Sequence, residues 1–363
     1  MKMALWRDGA VTIALCVRVK KNLGELTIST LTKMHLINTD LKIMAEKNFI
    51  HIPISRPLTE KEFMELKSIG EFKILSKEFA SRFRRPKTLL EVLDGKISPN
   101  LLASLPHSFD VIGDIAVLEM PLELWNYRKL VGDALMQINR GVHTVMAKLG
   151  AVSGPFRLRQ LEVVAGEGKT ETMHRENGCM FLLDVTKVYF SPRLAHEHNR
   201  VAGQVGEYET VIDMFAGVGP FSILIAKKRM NVTVYAIDIN PYAIHYLKEN
   251  VRINKVVDHV VPILGNAEDV INNRLSHVAD RVIMNLPEKA SEFLEAALKA
   301  LKPSGGTIHF YTFYKGERTV KIVEDSVKEA VQKLGRCLES ASGRIVKPSA
   351  PNEWLVVIDA MVS

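Results

Sequence analysis

Residues Thr210 to Asn240 read TVIDMFAGVGPFSILIAKKRMNVTVYAIDIN, and this stretch decides the fold. A β-branched and apolar run, Thr210 to Phe215, enters the turn Ala216-Gly217-Val218-Gly219-Pro220. Helical spacing follows over Phe221 to Lys228, and a second apolar run ends in Ala236-Ile237-Asp238. Strand, glycine turn, helix, strand and terminal acid make the βαβ layout of a nucleotide-type cofactor site. Gly217 and Gly219 let the backbone approach a ligand that side chains would block. Asp238, about 20 residues past the turn, is placed to accept hydrogen bonds from a ribose diol. Position 222 is Ser where the dinucleotide fingerprint has a third glycine, so a pyrophosphate cradle is not demanded. A glycine turn alone occurs in any α/β protein; here the helix and the acid stand in register with it.

Downstream, the pattern continues as a doubly wound α/β domain over 189–363. A helix is expected over Leu194 to Val205, ahead of the βαβ unit. After it come a helix (Pro241 to Asn254), a strand (Val260 to Leu264), the loop Gly265 to Asp269 and a strand (Asp280 to Leu286). Then follow a helix (Ser291 to Leu301), a strand (Thr307 to Phe313) and a helix (Arg318 to Leu334). Cys337 to Val346 and Glu353 to Met361 read as a closing antiparallel hairpin.

Upstream, residues 1–72 read as a small α/β domain. Val11 to Val19 is a strand, Leu23 to Met34 a helix, Phe49 to Ile54 a strand and Thr59 to Ser68 a helix. Thr59 and Glu62 fit a capping box. Residues 73–106 read as a linker with helical pieces. Within it, Phe79 to Lys87 (FASRFRRPK) interleaves cations with aromatics, which suits phosphate contact plus base stacking, or equally a snorkelling amphipathic helix. Residues 107–188 read as an α+β domain. A hairpin turns at Gly113-Asp114, and a long helix spans Leu122 to Lys148. A strand runs through Phe156 to Ala165, and Thr170 to Arg175 pairs back on it. Met180 to Tyr189 is a last strand.

The chain has 363 residues, 47% of them hydrophobic, enough for two or three domains with real cores. A formal net charge of +7 fits an ordinary soluble surface or a polyanionic partner. Cys16, Cys179 and Cys337 are far apart, which suggests reduced thiols in a cytoplasmic protein rather than a disulfide frame or zinc site. The histidines show no metal spacing; His196 and His198 flank Glu197, but alternate residues on a helix do not share a face. Gly9 to Val17 is interrupted by charge just upstream and lacks a cleavage site, so a core strand is expected there rather than an export signal. No apolar run is long enough for a membrane span.

Several motifs together carry a family resemblance: D-M-F-A-G-V-G-P-F, A-I-D-I-N-P, V-I-M-N-L-P, Y-F-S-P-R-L-A-H-E and the terminal R-I-V-K. The glycine turn resembles the first motif of class I (Rossmann-like) S-adenosylmethionine-dependent methyltransferases. The full set resembles the archaeal and eukaryotic tRNA (guanine-N1)-methyltransferases that modify guanosine at tRNA position 37, over about 107–363 and more faintly over 1–72. The resemblance implies S-adenosylmethionine as cofactor and tRNA, by its anticodon arm and body, as partner. Glu197 is then the general base for the N1 proton, and Arg157 the donor that stabilises charge on O6. Asn285 would position the base, and Pro287 would shape the pocket. Tyr189, Arg193, Phe215, Gly217, Gly219, Asp238, Asn266 and Asn285 would line the cofactor site. Asn266 stands where methyltransferases usually have an Asp for the adenine amino group. By the residues alone, Glu197 could merely complement a helix dipole, and Arg157 and Arg159 could be neighbouring charges on one strand face. A monomer is expected. The competing readings are an aminocarboxypropyl transferase or dual enzyme of wybutosine-type modification, and a non-catalytic tRNA-binding protein.

Overall fold

The computed structural model describes residues 11–82, 86–150, 154, 156–316 and 319–363. The start of the apolar run at Gly9, the centre of the basic segment at 83–85, and Arg318 lie outside them. The chain divides into two compact units, Met1–Lys87 and Thr88–Ser363.

In the first unit the elements are β1 (Val11–Lys20), α1 (Gly24–Lys33), β2 (Met44–Glu46), β3 (Phe49–Pro53), α2 (Glu60–Ile69) and β4 (Phe72–Ala80). The strands form an antiparallel sheet in the order β2-β3-β1-β4. Leu31 of α1 and Leu66 of α2 pack with Val17, Val19 and Ile52 in one core, so both helices cover the same face. The capping box forms: the Glu62 N–H donates to Thr59 Oγ1 at 3.4 Å, and the Thr59 N–H donates to Glu62 Oε2 at 2.8 Å. The linker expected from residue 73 is instead β4, paired with β1 from Val11–Ala80 to Val19–Phe72. β4 is an edge strand that buries only Phe79 fully, so it lacks the alternation that marks a strand. Phe79 is 0% exposed and is therefore a core residue, not a stacking platform.

The second unit begins with α3 (Leu89–Leu93) and α4 (Pro99–Ala103), followed by β5 (Phe109–Ile112), β6 (Ile115–Glu119), α5 (Arg128–Ile138), β7 (Thr144–Lys148) and β8 (Leu161–Gly166). These strands make a mixed sheet ordered β5-β6-β7-β8. The long helix expected over Leu122 to Lys148 is a 3-10 turn, then α5, then β7. Helix α5 ends at Ile138, capped by Asn139 ahead of Gly141, and β7 is buried along most of its length. A doubly covered strand has no period-2 signature. No strand forms over 156–160, where Arg157 has φ +54°. The segment β9 (Glu171–Glu176) pairs with β10 (Cys179–Asp184) and not with β8, whose partner is β7. β10 stops early because the Asp184 carboxylate accepts from the Thr186 N–H at 2.9 Å and hydroxyl at 2.6 Å, which turns the chain.

The remaining elements are α6 (Ala195–Gln204), β11 (Thr210–Asp213), α7 (Pro220–Lys228), β12 (Thr233–Asp238), α8 (Pro241–Ile253), β13 (Val260–Leu264), α9 (Ala267–Val270), β14 (Arg281–Met284), α10 (Leu294–Ala300), β15 (Gly306–Lys315), α11 (Thr319–Lys333), β16 (Leu338–Ala350) and β17 (Glu353–Val362). The sheet runs β13-β12-β11-β14-β15-β17-β16, parallel except for the closing antiparallel hairpin. The order reverses between β11 and β14, the switch point where open α/β sheets bind ligands.

A buried amide clamps the preceding hairpin to this sheet. Asn250 of α8 accepts from the Leu182 N–H at 2.7 Å and donates to the Leu182 and Val218 carbonyls, each at 3.1 Å. Asn250→Ala leaves these groups unpaired at about 1–3 kcal/mol each. We expect a lower thermal midpoint; an unchanged one would show that the clamp is dispensable.

Candidate active site

A cavity of about 1410 Å³ opens within the second unit at the carboxyl ends of β11, β12 and β14. Its walls include Arg157, Tyr189, Arg193, Phe215, Gly217, Asp238, Asn266, Asn285 and Pro287, so it gathers nine of the sequence candidates. Gly219 and Glu197 stand outside the wall.

The glycine turn builds the floor. Gly217 has φ +56° and Gly219 φ +92°, conformations that disfavour side chains. The Gly217 N–H donates to Asp238 Oδ2 at 2.7 Å and the Asn240 N–H to Oδ1 at 2.8 Å. Burial pushes the Asp238 carboxyl above its usual range, with these backbone donors opposing. A Cβ on Gly217 would meet only the Tyr189 carbonyl, at 3.8 Å, whereas one on Gly219 would strike Leu247 Cδ1 at 2.4 Å.

Asp213 ends β11 inside the quoted motif, but its role was not legible there. It is 0% exposed, and its Oδ2 accepts from Ser222 Oγ at 2.7 Å while Oδ1 has no partner. Burial pushes its carboxyl up to about 7. Ser222, noticed in the sequence only as a missing glycine, is the group that anchors Asp213.

Of the other cofactor candidates, Phe215 meets Phe293 edge-on at 5.1 Å. Arg193 donates from Nε to Asp110 Oδ1 at 2.6 Å. Tyr189 lies under the guanidinium groups of Arg157 and Arg159, at 5.3 and 5.5 Å from its ring centre. Asn266 caps α9, its Oδ1 accepting from the Glu268 N–H at 2.9 Å. One lone pair of that oxygen is therefore already used.

On the opposite wall, Arg157 is not a strand residue but sits in a turn in a left-handed conformation, a costly one for a side-chain-bearing residue. Its Nη2 pairs with Glu288 at 3.2 Å, while Nε and Nη1 are buried without partners. Asn285, one residue beyond β14, is half-buried. Lys347, unassigned within R-I-V-K, also lines the cavity and contacts Ser191 Oγ at 3.2 Å. Burial first, then the charge of Arg193, pushes its ammonium down to about 8.

Glu197 lies in the first turn of α6, 1% exposed. Its Oε1 accepts from Tyr311 Oη and from Arg200 Nη2, both at 2.6 Å, and its Oε2 pairs with Arg344 Nη2 at 2.9 Å. Burial pushes the carboxyl up, but the hydrogen bonds of Arg200 and Tyr311 and the charges of Arg200 and Arg344 outweigh it and hold Glu197 below its usual range. Arg200 is tied in turn to Asp359, whose Oδ1 lies 2.6 Å from His309 Nδ1. Tyr311, apolar-looking in its strand run, was not singled out in the sequence.

Sheet order, glycine turn and flanking domains define a class I, Rossmann-like methyltransferase with two smaller N-terminal α+β parts. Three family models match in tandem: the tRNA methyltransferase 5 N-terminal domain over 16–62, the TYW2 N-terminal domain over 89–170 and the TRM5/TYW2 methyltransferase domain over 172–338. The chain is 40% identical over 351 residues to the tRNA (guanine(37)-N(1))-methyltransferase Trm5b of Pyrococcus abyssi, covering 97% of this chain and 100% of that one. It superposes with a TM-score of 0.82 on a Trm5 solved as a complex with tRNALeu, 35% identical, over 96% of this chain and 100% of that one. Methanocaldococcus jannaschii Trm5 in complex with adenosine superposes at 0.61, with 35% identity, over 95% and 98% of the two chains. The chain belongs to the TRM5/TYW2 family, as an S-adenosylmethionine-dependent tRNA (guanine-N1)-methyltransferase.

The two glycines should fail differently. Gly217→Ala adds a methyl on the cavity side and should weaken cofactor binding, while its left-handed backbone alone costs about 1–2 kcal/mol. Gly219→Ala bears the same left-handed cost and also strikes Leu247 and Ile223 in the core, so it should lower the melting temperature further than Gly217→Ala. Calorimetric titration and thermal melts of both variants check this; identical profiles would refute it.

Proposed function

We propose that this protein transfers a methyl group to N1 of guanosine 37 in tRNA, in the cytoplasm and as a monomer. The observation that carries the reading is one cavity joining the Gly217–Asp238 floor to Arg157, with its two unpartnered buried N–H groups, and to Asn285. The fit to the cofactor rests on the cradle at Gly217, where side-chain space is open, and on the pinned Asp238 carboxylate, whose remaining lone pairs suit ribose hydroxyls. Tyr189, Arg193, Phe215, Gly219 and Asn266 complete that set in this reading. When bound, S-adenosylmethionine supplies a methyl group activated by its sulfonium.

The chain's own residues handle the acceptor. Guanine N1 carries a proton at neutral pH, and its removal places charge on O6. Arg157 donates to O6 through the N–H groups that otherwise have no partner; one such donor is worth roughly 10²–10³ in rate. The Asn285 amide orients the base edge, and the buried Pro287 shapes the pocket. Glu197 takes the proton. Of its donors, Arg344 comes from the edge hairpin and is the most exposed, so it is the one that yields to the entering base. A guanine stacked in the anticodon loop must be extruded to reach the cavity. The first unit grips the tRNA body through phosphate contacts, and S-adenosylmethionine needs no such unit.

Aminocarboxypropyl transfer uses the same cofactor, and a binding protein would transfer nothing. Unmodified tRNA and cofactor labelled separately on the methyl and aminocarboxypropyl groups should give methyl label alone, recovered as 1-methylguanosine. Aminocarboxypropyl label, or none, would overturn the proposal. Glu197→Gln should lower turnover by about 10²–10⁴ with cofactor binding retained; an active variant removes Glu197 as the base.

Tyr311→Phe supplies a pH test. Glu197 must be ionised to act, and Tyr311 stabilises the ionised form. Its loss raises the Glu197 pKa, so the acid limb of the rate profile should move to higher pH. An unmoved limb would separate Glu197 from the proton transfer.

A further inference from the structure

Arg200 stands between two carboxylates. From α6 its Nε donates to both oxygens of Glu197 at 3.1 Å, and its Nη2 donates to Oε1 at 2.6 Å. On its other edge, Nη2 donates to Asp359 Oδ1 at 3.1 Å and Nη1 to Oδ2. Asp359 belongs to β17 and lies opposite His309 of β15 in the ladder. Its Oδ1 also meets His309 Nδ1 at 2.6 Å, and its Oδ2 accepts from Gln204 Nε2 at 3.3 Å. Arg281 Nη1 lies 2.9 Å from His309 Nε2, and a guanidinium only donates, so the ring carries its proton on Nδ1, towards Asp359. Burial holds that enclosed ring below the ordinary imidazole range against the pull of Asp359, so His309 stays neutral. Burial pushes Asp359 up as well, but the hydrogen bonds of His309 and Arg200 outweigh it and keep the carboxylate ionised.

The charges that face Glu197 come from three elements. Arg200 lies on its own helix, the neutral Tyr311 on β15 and Arg344 on β16. Arg281, behind His309, is matched by Glu209. Glu197, Asp359, Arg200 and Arg344 together sum to zero. In the functional reading above, the entering base takes the place of Arg344. Two carboxylates then share one guanidinium, and one negative charge is left uncompensated beside a carboxylate that is 1% exposed. A proton cancels that charge. Both oxygens of Asp359 keep their donors, whereas Glu197 Oε2, once Arg344 has left, keeps only a share of Arg200 Nε. We infer that Asp359 is what makes Glu197 a competent base: by drawing on the far edge of the Arg200 guanidinium, it leaves Glu197 as the place in the group where the N1 proton settles. Without Asp359, Glu197 and Arg200 would be a matched ion pair with little to gain from a proton. This rests on the reading of Glu197 as the base and adds a positioning residue that acts through Arg200.

The pH dependence of methyl transfer tells this role from a structural one. The single-turnover rate on unmodified tRNA is followed against pH for the full-length protein in excess, with saturating S-adenosylmethionine. Asp359→Asn removes a negative charge and should lower the Glu197 pKa, moving the acid limb down by about one pH unit. A base weakened by that much loses about tenfold in proton affinity. The rate above the limb should therefore fall by at most about tenfold, against about 10²–10⁴ for Glu197→Gln. If Asp359 merely held Arg200 in place, its loss would free Glu197 from that cation, and the limb would move up, as for Tyr311→Phe. An upward or an unmoved limb overturns the inference. If Asp359→Asn does not fold, Asp359→Ser, which also lacks the charge and can still accept from His309, is judged by the same shift. Glu197→Gln separates the two readings. An unaltered acid limb in that variant would remove Glu197 as the base, and the inference with it. Loss of the limb there, with no shift in Asp359→Asn, would refute only the role of Asp359.

Discussion

The hydrogen bond from the Gly217 N–H to the Asp238 carboxylate ties the turn after one strand to the tip of the next. It adds to the Ala216 N–H, which donates to the Ile237 carbonyl at 2.8 Å, in joining the ends of β11 and β12. The bond forms only if residue 217 adopts a left-handed conformation, which is why the position is glycine. It also holds the acid in a half-buried place where its charge is costly. The Asn240 N–H shares that load, and Asn240 caps α8 by accepting from the Tyr242 N–H at 3.0 Å. Turn, acid and helix start are therefore one hydrogen-bonded unit.

A second chain of charges supports the other side. Glu209 pairs with Arg281 at 2.8 Å, and Arg281 Nη1 faces His309 Nε2 at 2.9 Å. His309 leads to Asp359, then to Arg200, then to Glu197. The Arg281 guanidinium can only donate, so His309 carries its proton on Nδ1 and directs it at Asp359. Buried ion pairs gain little net stability against apolar packing, but removing one member strands the rest. The chain therefore serves to fix position: it fastens α6 to β14, β15 and β17.

Legibility in the sequence follows the same physics. The methyltransferase sheet was readable because its strands alternate with helices and are punctuated by Gly217, Gly219, Pro241 and Gly305-Gly306. β7 was read as helix because a strand buried on both faces is a continuous apolar run, and β4 was missed because an edge strand need not be apolar at all. Among site residues, those held by backbone geometry announced themselves: glycines, the acid at a strand tip, Asn285 before a proline. Asp213, Tyr311 and Lys347 did not, since their roles depend on partners 9 to 156 residues away, such as Ser222 for Asp213 and Ser191 for Lys347. Arg157 was found by resemblance alone, and its left-handed backbone contradicts the strand that local alternation suggested.

That conformation bears on how the wall opposite the glycine turn is built. A doubly wound sheet supplies a cofactor floor but no wall opposite it. Here the opposite wall is drawn largely from chain that precedes β11: Arg157, Tyr189 and Arg193 before it, Lys347 from the closing hairpin after it. Arg157 sits between β7 and β8 in a turn whose strain the surrounding contacts must sustain. Its Nε and Nη1 have no protein partner, a further cost that an acceptor in the cavity relieves. A site with buried donors already desolvated loses more when the acceptor is missing than it gains from apolar contact when it is present. In the proposed function, where Arg157 meets the oxygen of the base, these buried donors disfavour bases that lack an oxygen there, and they sit in the segment least dictated by the methyltransferase fold.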